Sequence, residues 1–194
     1  MQTSADERHG FRIMTKKVVQ RLEWAVGVLH IDPEDRLLEI GCGHGVTVSL
    51  VCENLGCGAI TAIDHSAKMI EAASKRNADH VAAGVASFQT ATLLDADLAD
   101  TTFDKVFAIN VGMFWRPRPV RELAILRDHI APDGRLFLFH EPPPESAMPP
   151  IPSTLPELLV DGGFIVAEIL EQDLGRTRVG CVTAEKTTSG RSEE

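Results

Sequence analysis

The sequence has no tyrosine, only two tryptophans, no surplus of basic residues and no apolar run of the length needed to cross a bilayer. The last absence excludes a membrane-spanning helix, which needs about 20 apolar residues in a row. The first ten residues are too polar for a secretory signal, so a cytoplasmic protein is expected. Lys and Arg number 19 against 28 Asp and Glu, a formal net charge of −9. That balance argues against nucleic-acid backbones or membrane surfaces as partners, because both need clustered Lys and Arg. Cysteine is sparse too. Cys42, Cys52, Cys57 and Cys181 form no Cys-x-x-Cys pair, so no metal site is expected and small buried thiols are the simpler reading. Neither an internal repeat nor a second domain is visible.

What is present is ordinary globular material, 44% hydrophobic and 24% charged, in a chain of 194 residues that can bury one full core. Its organising stretch is Leu37-Leu38-Glu39-Ile40-Gly41-Cys42-Gly43-His44-Gly45. A short apolar strand carries a carboxylate near its end and opens into three glycines at alternate positions. A helix follows from about Gly45 to Asn54. Strand, glycine loop and helix form the layout of a nucleotide-type cofactor site, where the backbone turns tightly and a ligand approaches it closely.

Taken in order, residues 1–14 read as a polar tail that could also cover a site through Phe11, Arg12 and Met14, and 15–185 as one domain. Residues 186–194 read as a second tail. Thr15 caps a first helix whose apolar face carries Leu22, Ala25 and Leu29. Strands are expected at 59–63 and 85–90, with a helix capped by Ser66 between them. Further strands are expected at 103–109 and 136–139, separated by a helix that starts at Pro119 and is stopped by the turn Ala131-Pro132-Asp133-Gly134. Pro142 to Pro156 reads as a stiff loop that could rim a site. A short helix at 155–160 precedes two closing strands at 164–170 and 178–184, a hairpin. The fold class is therefore α/β: a Rossmann-like, seven-stranded, mainly parallel sheet with helices on both faces and a C-terminal antiparallel hairpin.

The spacing Gly41-x-Gly43-x-Gly45 departs from the dinucleotide fingerprint, whose last small residue comes one position later, where this chain has Val46. Asp64 ends the second strand 19 residues after Gly45, close to the ~20-residue offset of a ribose-binding carboxylate. With Glu39 it creates negative potential that suits a cationic ligand and repels a pyrophosphate.

At these residues the chain resembles the class I S-adenosylmethionine-dependent methyltransferases, over about Thr15 to Ala184. Glu39 to Gly45 is similar to the family's first motif and Asp64-His65-Ser66-Ala67-Lys68-Met69 to its second. The strand ending at Asn110, the Pro-Asp-Gly turn and the closing hairpin resemble its later landmarks. The resemblance implies S-adenosylmethionine as cofactor and S-adenosylhomocysteine as product. It implies that the backbone at Gly41, Cys42, Gly43 and Gly45 and the carbonyl of Asn110 border the methionine part, with Glu39 beneath the ammonium. Asp64 would take the ribose hydroxyls, His65 and Met69 would lie near the adenine, and Thr90 and Ala91 would stand where the family often has an acid.

Methyl transfer is an in-line displacement that rests on positioning, with a base where the acceptor loses a proton. His140 and Glu141, directly after the fifth strand, are the candidates. Met113, Phe114 and Trp115 form the one dense aromatic cluster, a wall for an apolar acceptor, and Arg116 or Arg118 could meet an acidic one. Each has a structural alternative: a packed histidine, an ion-paired Glu141, a core anchor at Phe114. The expected reaction is methylation of a small-molecule acceptor by a monomer or homodimer. Two rival readings are a non-catalytic S-adenosylmethionine-binding regulatory or scaffold protein and an NAD-dependent oxidoreductase.

Overall fold

A computed structural model describes residues 20–115, 119–143, 149–175 and 177–187. Thr15, the proposed cover at 1–14, Arg116, Arg118, the Trp115 side chain and most of the C-terminal tail lie outside the described residues. Helix α1 (20–29) leads into β1 (Arg36–Ile40), α2 (Val46–Cys52), β2 (Ala59–Asp64), α3 (Ala67–Arg76), α4 (Ala78–Ala82) and β3 (Ala86–Thr90). Then come β4 (Phe103–Ile109), a 3-10 turn (Gly112–Trp115), α5 (Val120–His129), β5 (Ile130–His140), α6 (Thr154–Asp161), β6 (Phe164–Asp173) and β7 (Arg178–Lys186). The sheet order is β3-β2-β1-β4-β5-β7-β6, parallel through β5, with β7 antiparallel to both its neighbours. The expected fold class holds.

Strand side chains alternate between faces, so a strand buried on both sides must be apolar nearly throughout. Leu37, Phe107, Phe137 and Phe139 face one layer, where they meet Ala25 and Leu29 of α1, Val48 and Val51 of α2, and Ala73 of α3. Leu38, Val106, Leu136 and Leu138 face the other, against Leu123 and Leu126 of α5 and Leu155 and Leu159 of α6. Leu38 and Leu136 are fully buried, and truncating either to Ala should cost about 2–5 kcal/mol.

Two local expectations are corrected. The turn Ala131 to Gly134 does not separate α5 from the strand. Instead β5 begins at Ile130, paired with Phe103, and resumes with Arg135 opposite Lys105, so the four turn residues bulge out against Asp104 alone. Gly134 is needed there because a Cβ would stand 2.8 Å from the Phe103 carbonyl. Helix α4 was not expected. Asn77 ends α3 by donating its Nδ2 to the Ala73 carbonyl at 2.9 Å, and the chain re-enters a helix one residue later.

Chain direction changes at the centre of the sheet. From β1 the chain moves outward to β2 and β3, then returns to place β4 on β1's other side. The connections that leave the carboxyl ends of the paired strands β1 and β4 therefore run in opposite directions, which opens a crevice in sheets of this kind.

Candidate functional site

Gly41, Gly43 and Gly45 have φ of 73°, 52° and 69°, left-handed values that cost side-chain-bearing residues about 1–2 kcal/mol each. The three do different work. A Cβ at Gly41 would lie 2.6 Å from Val111 Cγ2, so this glycine lets the loop after β1 touch the loop after β4. Around Gly43 there is open space, with no atom within 4 Å of the point a Cβ would occupy. A Cβ at Gly45 would meet Ala73 Cβ and Asn77 Nδ2, both at 2.8 Å. Gly45 therefore serves helix packing rather than a ligand. Its carbonyl accepts from Asn77 Nδ2 at 3.0 Å, while Asn77 Oδ1 accepts from the Ser49 hydroxyl at 2.7 Å.

The loop is anchored to the end of β2. The amides of Gly41 and Cys42 donate to the Ile63 carbonyl at 2.8 and 3.1 Å. Asp64 completes the joint: Oδ2 accepts from the Gly43 amide at 3.0 Å and Oδ1 from the Ser66 amide at 2.9 Å. His65 Nδ1 lies 3.4 Å from Asp64 Oδ1, on an otherwise exposed side chain.

Glu39 is 2% exposed, and its Oε2 has no hydrogen-bond partner. Burial pushes its carboxyl up to about 8, helped by the nearby Asp64 charge and opposed by a hydrogen bond from Thr47. Cys42 is buried as well, and its thiol is pushed up by burial and by the charges of Glu39 and Asp64. The Cys42 side chain thus belongs to the core and is not a reactive group.

A cleft of about 390 Å³ opens at the carboxyl ends of β1, β2, β3 and β4. Of the sequence candidates, Gly41, Asp64, His65, Ala91 and Met113 line it. Val111, Gly112, Leu93, Leu94, Thr92 and Glu122 line it too and had not been singled out. Val111 and Gly112 were legible, since they follow β4 at the switch in strand order. Leu93 and Leu94 were a dipeptide of apolar residues inside an acidic, turn-rich segment. Glu122 gave no signal, because it comes from the first turn of α5.

Other candidates lie elsewhere. Thr90 is exposed at the end of β3, and Met69 is half-buried on α3, neither of them on the cleft wall. Phe114 is 2% exposed inside the core with Leu123 and Leu155, so it is an anchor and not a substrate wall. Asn110, with φ 57°, ties β4 to β5: its amide donates to the Phe139 carbonyl at 2.9 Å, and its Oδ1 accepts from the Glu141 amide at 2.7 Å. Glu141 is ion-paired with Arg21 of α1. His140 Nδ1 contacts the Pro150 carbonyl at 2.6 Å, and since a carbonyl only accepts, Nδ1 carries the proton. His140 is off the cleft wall, at the edge where the proline-rich loop returns.

A second cleft, of about 440 Å³, sits at the amino-end side of β4 and β5. Lys105 fills part of it, paired with Asp35 and 3.7 Å from Asp32. None of the sequence candidates reaches it. In open sheets with this strand order the ligand crevice is at the carboxyl ends, which favours the smaller cleft. Among the described residues no His, Cys, Asp and Glu group could hold a metal ion, and no helix is long and apolar enough to cross a membrane.

Residues 38–136 match the profile of a family described as a methyltransferase domain. The O-methyltransferase resE of Aspergillus sclerotiorum is 32% identical over 177 residues, which cover 81% of this chain and 62% of that protein. A SAM-dependent methyltransferase from Aquifex aeolicus superposes with a TM-score of 0.70 at 19% identity, over 86% of this chain and 89% of that one. The [4+2]-cyclase SpnF superposes with a TM-score of 0.69 at 17% identity, over 85% and 80%. The two structural likenesses establish the fold. Neither the oxidoreductase reading nor the non-catalytic reading is favoured by these comparisons.

Proposed function

We propose that this chain, which belongs to the methyltransferase family whose domain profile it matches, transfers a methyl group from S-adenosylmethionine to a hydroxyl oxygen of a small molecule. S-adenosylmethionine is the cofactor of the family and supplies the methyl group on a cationic sulfur. The observation that carries the reading is the Asp64 joint, which holds the glycine loop at the mouth of the carboxyl-end cleft.

The residues present fit such a cofactor. Asp64 would accept from the ribose hydroxyls. Ala91, Leu93 and Leu94 offer an apolar shelf for a flat base, and the space above Gly43 is open to the methionine part. Glu39, buried with an unpartnered oxygen, would offer a carboxylate to the ammonium end once it gives up its proton.

Support for an oxygen acceptor is the name of the Aspergillus relative, an O-methyltransferase. A hydroxyl must lose its proton on methylation, so a base accelerates this acceptor. The candidate base is His140, which stands off the cleft wall and would serve only an acceptor that extends to the edge where the proline-rich loop returns. Its Nδ1–H donates to the Pro150 carbonyl, which fixes the orientation of the ring. Glu141, paired with Arg21, holds that arginine instead of taking a proton. The acidic balance of the chain and the small cleft support a small acceptor over a nucleic acid.

The test has two stages. Calorimetry with S-adenosylhomocysteine should show binding that Asp64→Ala weakens at least about 30-fold, the loss of two hydrogen bonds to a charged group. Incubation with S-adenosylmethionine and a panel of small phenols and alcohols should then add one methyl by mass spectrometry. Unchanged affinity in Asp64→Ala removes the cofactor assignment, and methylation confined to amines or thiols removes the oxygen acceptor.

A further inference from the structure

Glu39 is the buried carboxylate that the mechanism above does not use chemically. It is the penultimate residue of β1, between Ala62 of β2 and Phe107 of β4, and its side chain meets Thr47 of α2. The groups that meet it are few. Thr47 of α2 gives it a hydrogen bond, Asp64 of β2 faces it as a second carboxylate, and the Cys42 thiol of the loop is neutral through burial. No Lys, Arg or His of the described residues is among the groups that shift it. Arg76 is the cation bound to the loop, and it donates to the His44 carbonyl from the exposed side.

One oxygen of Glu39 is therefore buried without a donor, beside another carboxylate and without a counter-ion. A charge in that position is held up only by Thr47, and the group relieves the cost by keeping its proton. At pH 7 a carboxyl pushed up to about 8 is roughly nine-tenths protonated. Among the described residues there is no counter-ion, and the ammonium group of a ligand would supply one.

We infer that Glu39 reads the charge of the cofactor through its own proton: the ligand-free site holds Glu39 neutral, and a ligand that brings an ammonium group to the loop expels that proton to solvent. The inference rests on the cofactor assignment made above and adds a stoichiometry to it. The O–H bond of Glu39 breaks, the proton passes to buffer, and the carboxylate left behind is paired by the incoming cation. Ligands that carry the adenosine part without the ammonium leave the proton in place. Glu39 then acts as a specificity residue, because only a ligand with the cationic end converts the buried acid into an ion pair.

The test uses the full chain and calorimetry at pH 7 in phosphate and in Tris, whose ionisation enthalpies differ. S-adenosylhomocysteine should release close to one proton per site, as roughly nine-tenths protonation requires, and 5′-methylthioadenosine, which lacks the amino-acid end, should release almost none. In Glu39→Gln the release should vanish. Affinity for S-adenosylhomocysteine should fall about tenfold or more, with that for 5′-methylthioadenosine within about twofold. For the wild-type chain alone, the release should also decline as pH rises above 8, a readout that does not depend on the variant folding. Binding of S-adenosylhomocysteine without proton release, or release that persists in Glu39→Gln, overturns the inference and leaves the cofactor assignment standing. Binding of neither ligand overturns the cofactor assignment, and the inference with it.

Discussion

A group whose folded-state pKa lies above its unfolded value binds protons more tightly in the fold, so stability falls as pH rises between the two values. For Glu39 those values are about 8 folded and 4.5 unfolded. The ligand-free protein should therefore lose stability progressively from about pH 4.5 to about pH 8, and then no further from this group. The full shift, at 1.36 kcal/mol per unit, sets a ceiling of about 5 kcal/mol. Relaxation and water entry reduce such figures, and about 1–3 kcal/mol is the expected penalty. Glu39→Gln removes it, because a glutamine has the shape of the protonated acid, keeps an acceptor for Thr47 and never ionises. Thermal melts of both proteins from pH 5 to pH 9 isolate the effect, since the repulsion of a net charge of −9 is shared by both and cancels in the difference. The variant should match the wild type near pH 5 and exceed it by roughly 2–12 °C at pH 9, using about 2–4 °C per kcal/mol for a domain of this size. Parallel melting curves across the range, or a variant less stable at pH 9 than at pH 5 by as much as the wild type, would refute the placement of an uncompensated acid at this point. The same substitution should weaken the cofactor, so the residue is held at a cost in stability.

The three glycines should separate in their effects. Gly45→Ala forces a Cβ to 2.8 Å from Ala73 and Asn77 at a φ of 69°, and should lower stability by about 2–4 kcal/mol in denaturant melts. Gly43→Ala has room, so its stability loss should stay near 1 kcal/mol, while affinity for S-adenosylhomocysteine drops by more than about tenfold because the methyl group stands where the ligand passes. Equal stability losses at the two positions would contradict this division. His140→Ala should reduce kcat for a hydroxyl acceptor by about 100-fold or more with cofactor affinity nearly unchanged. An unaltered kcat would remove His140 as the base and leave it a structural residue that anchors Pro150.

The core of the fold was legible because both faces of the sheet are covered. That condition makes Leu37 to Ile40, Phe103 to Ile109 and Leu136 to Phe139 nearly continuous apolar runs, which stand out from the amphipathic helices between them. Asp64 was legible because it closes the apolar run of β2 as a carboxylate, 19 residues after Gly45. What was not legible depends on contacts between distant segments. Arg21 meets Glu141 across 120 residues, and Pro150 reaches His140 only because its loop folds back. Cys42 sits in a glycine loop yet packs into the core because the backbone around it is tied to Ile63. Phe114 looked like a binding residue from its neighbours Met113 and Trp115, but the 3-10 turn points Met113 at the cleft and Phe114 at the core. The Ala131 to Gly134 segment has the composition of a turn, yet it is a bulge inside β5 with strand pairing on either side, which local composition does not encode.

Glu39 and Asp64 are two acids in one small space, and the difference in their donors decides how they share it. Asp64 receives two backbone N–H groups, from Gly43 and Ser66, whereas Glu39 has the Thr47 hydrogen bond and a bare Oε2. Where two carboxylates are close, the one with fewer donors takes the proton, and that is Glu39. Asp64 is then left as the acceptor for the ribose. Its two oxygens offer about four acceptor directions, of which two are occupied by the loop amides, so two remain for a pair of neighbouring hydroxyls. An asparagine in its place could not do this. Its single oxygen would serve either Gly43 or Ser66, and its NH2 would stand against the other amide, donor against donor. Asp64→Asn is therefore not a mild substitution: it releases the loop from β2 on one side and removes half of the ribose acceptors in the same step. The carboxylate is required because one side chain has to hold the loop and bind the ligand simultaneously.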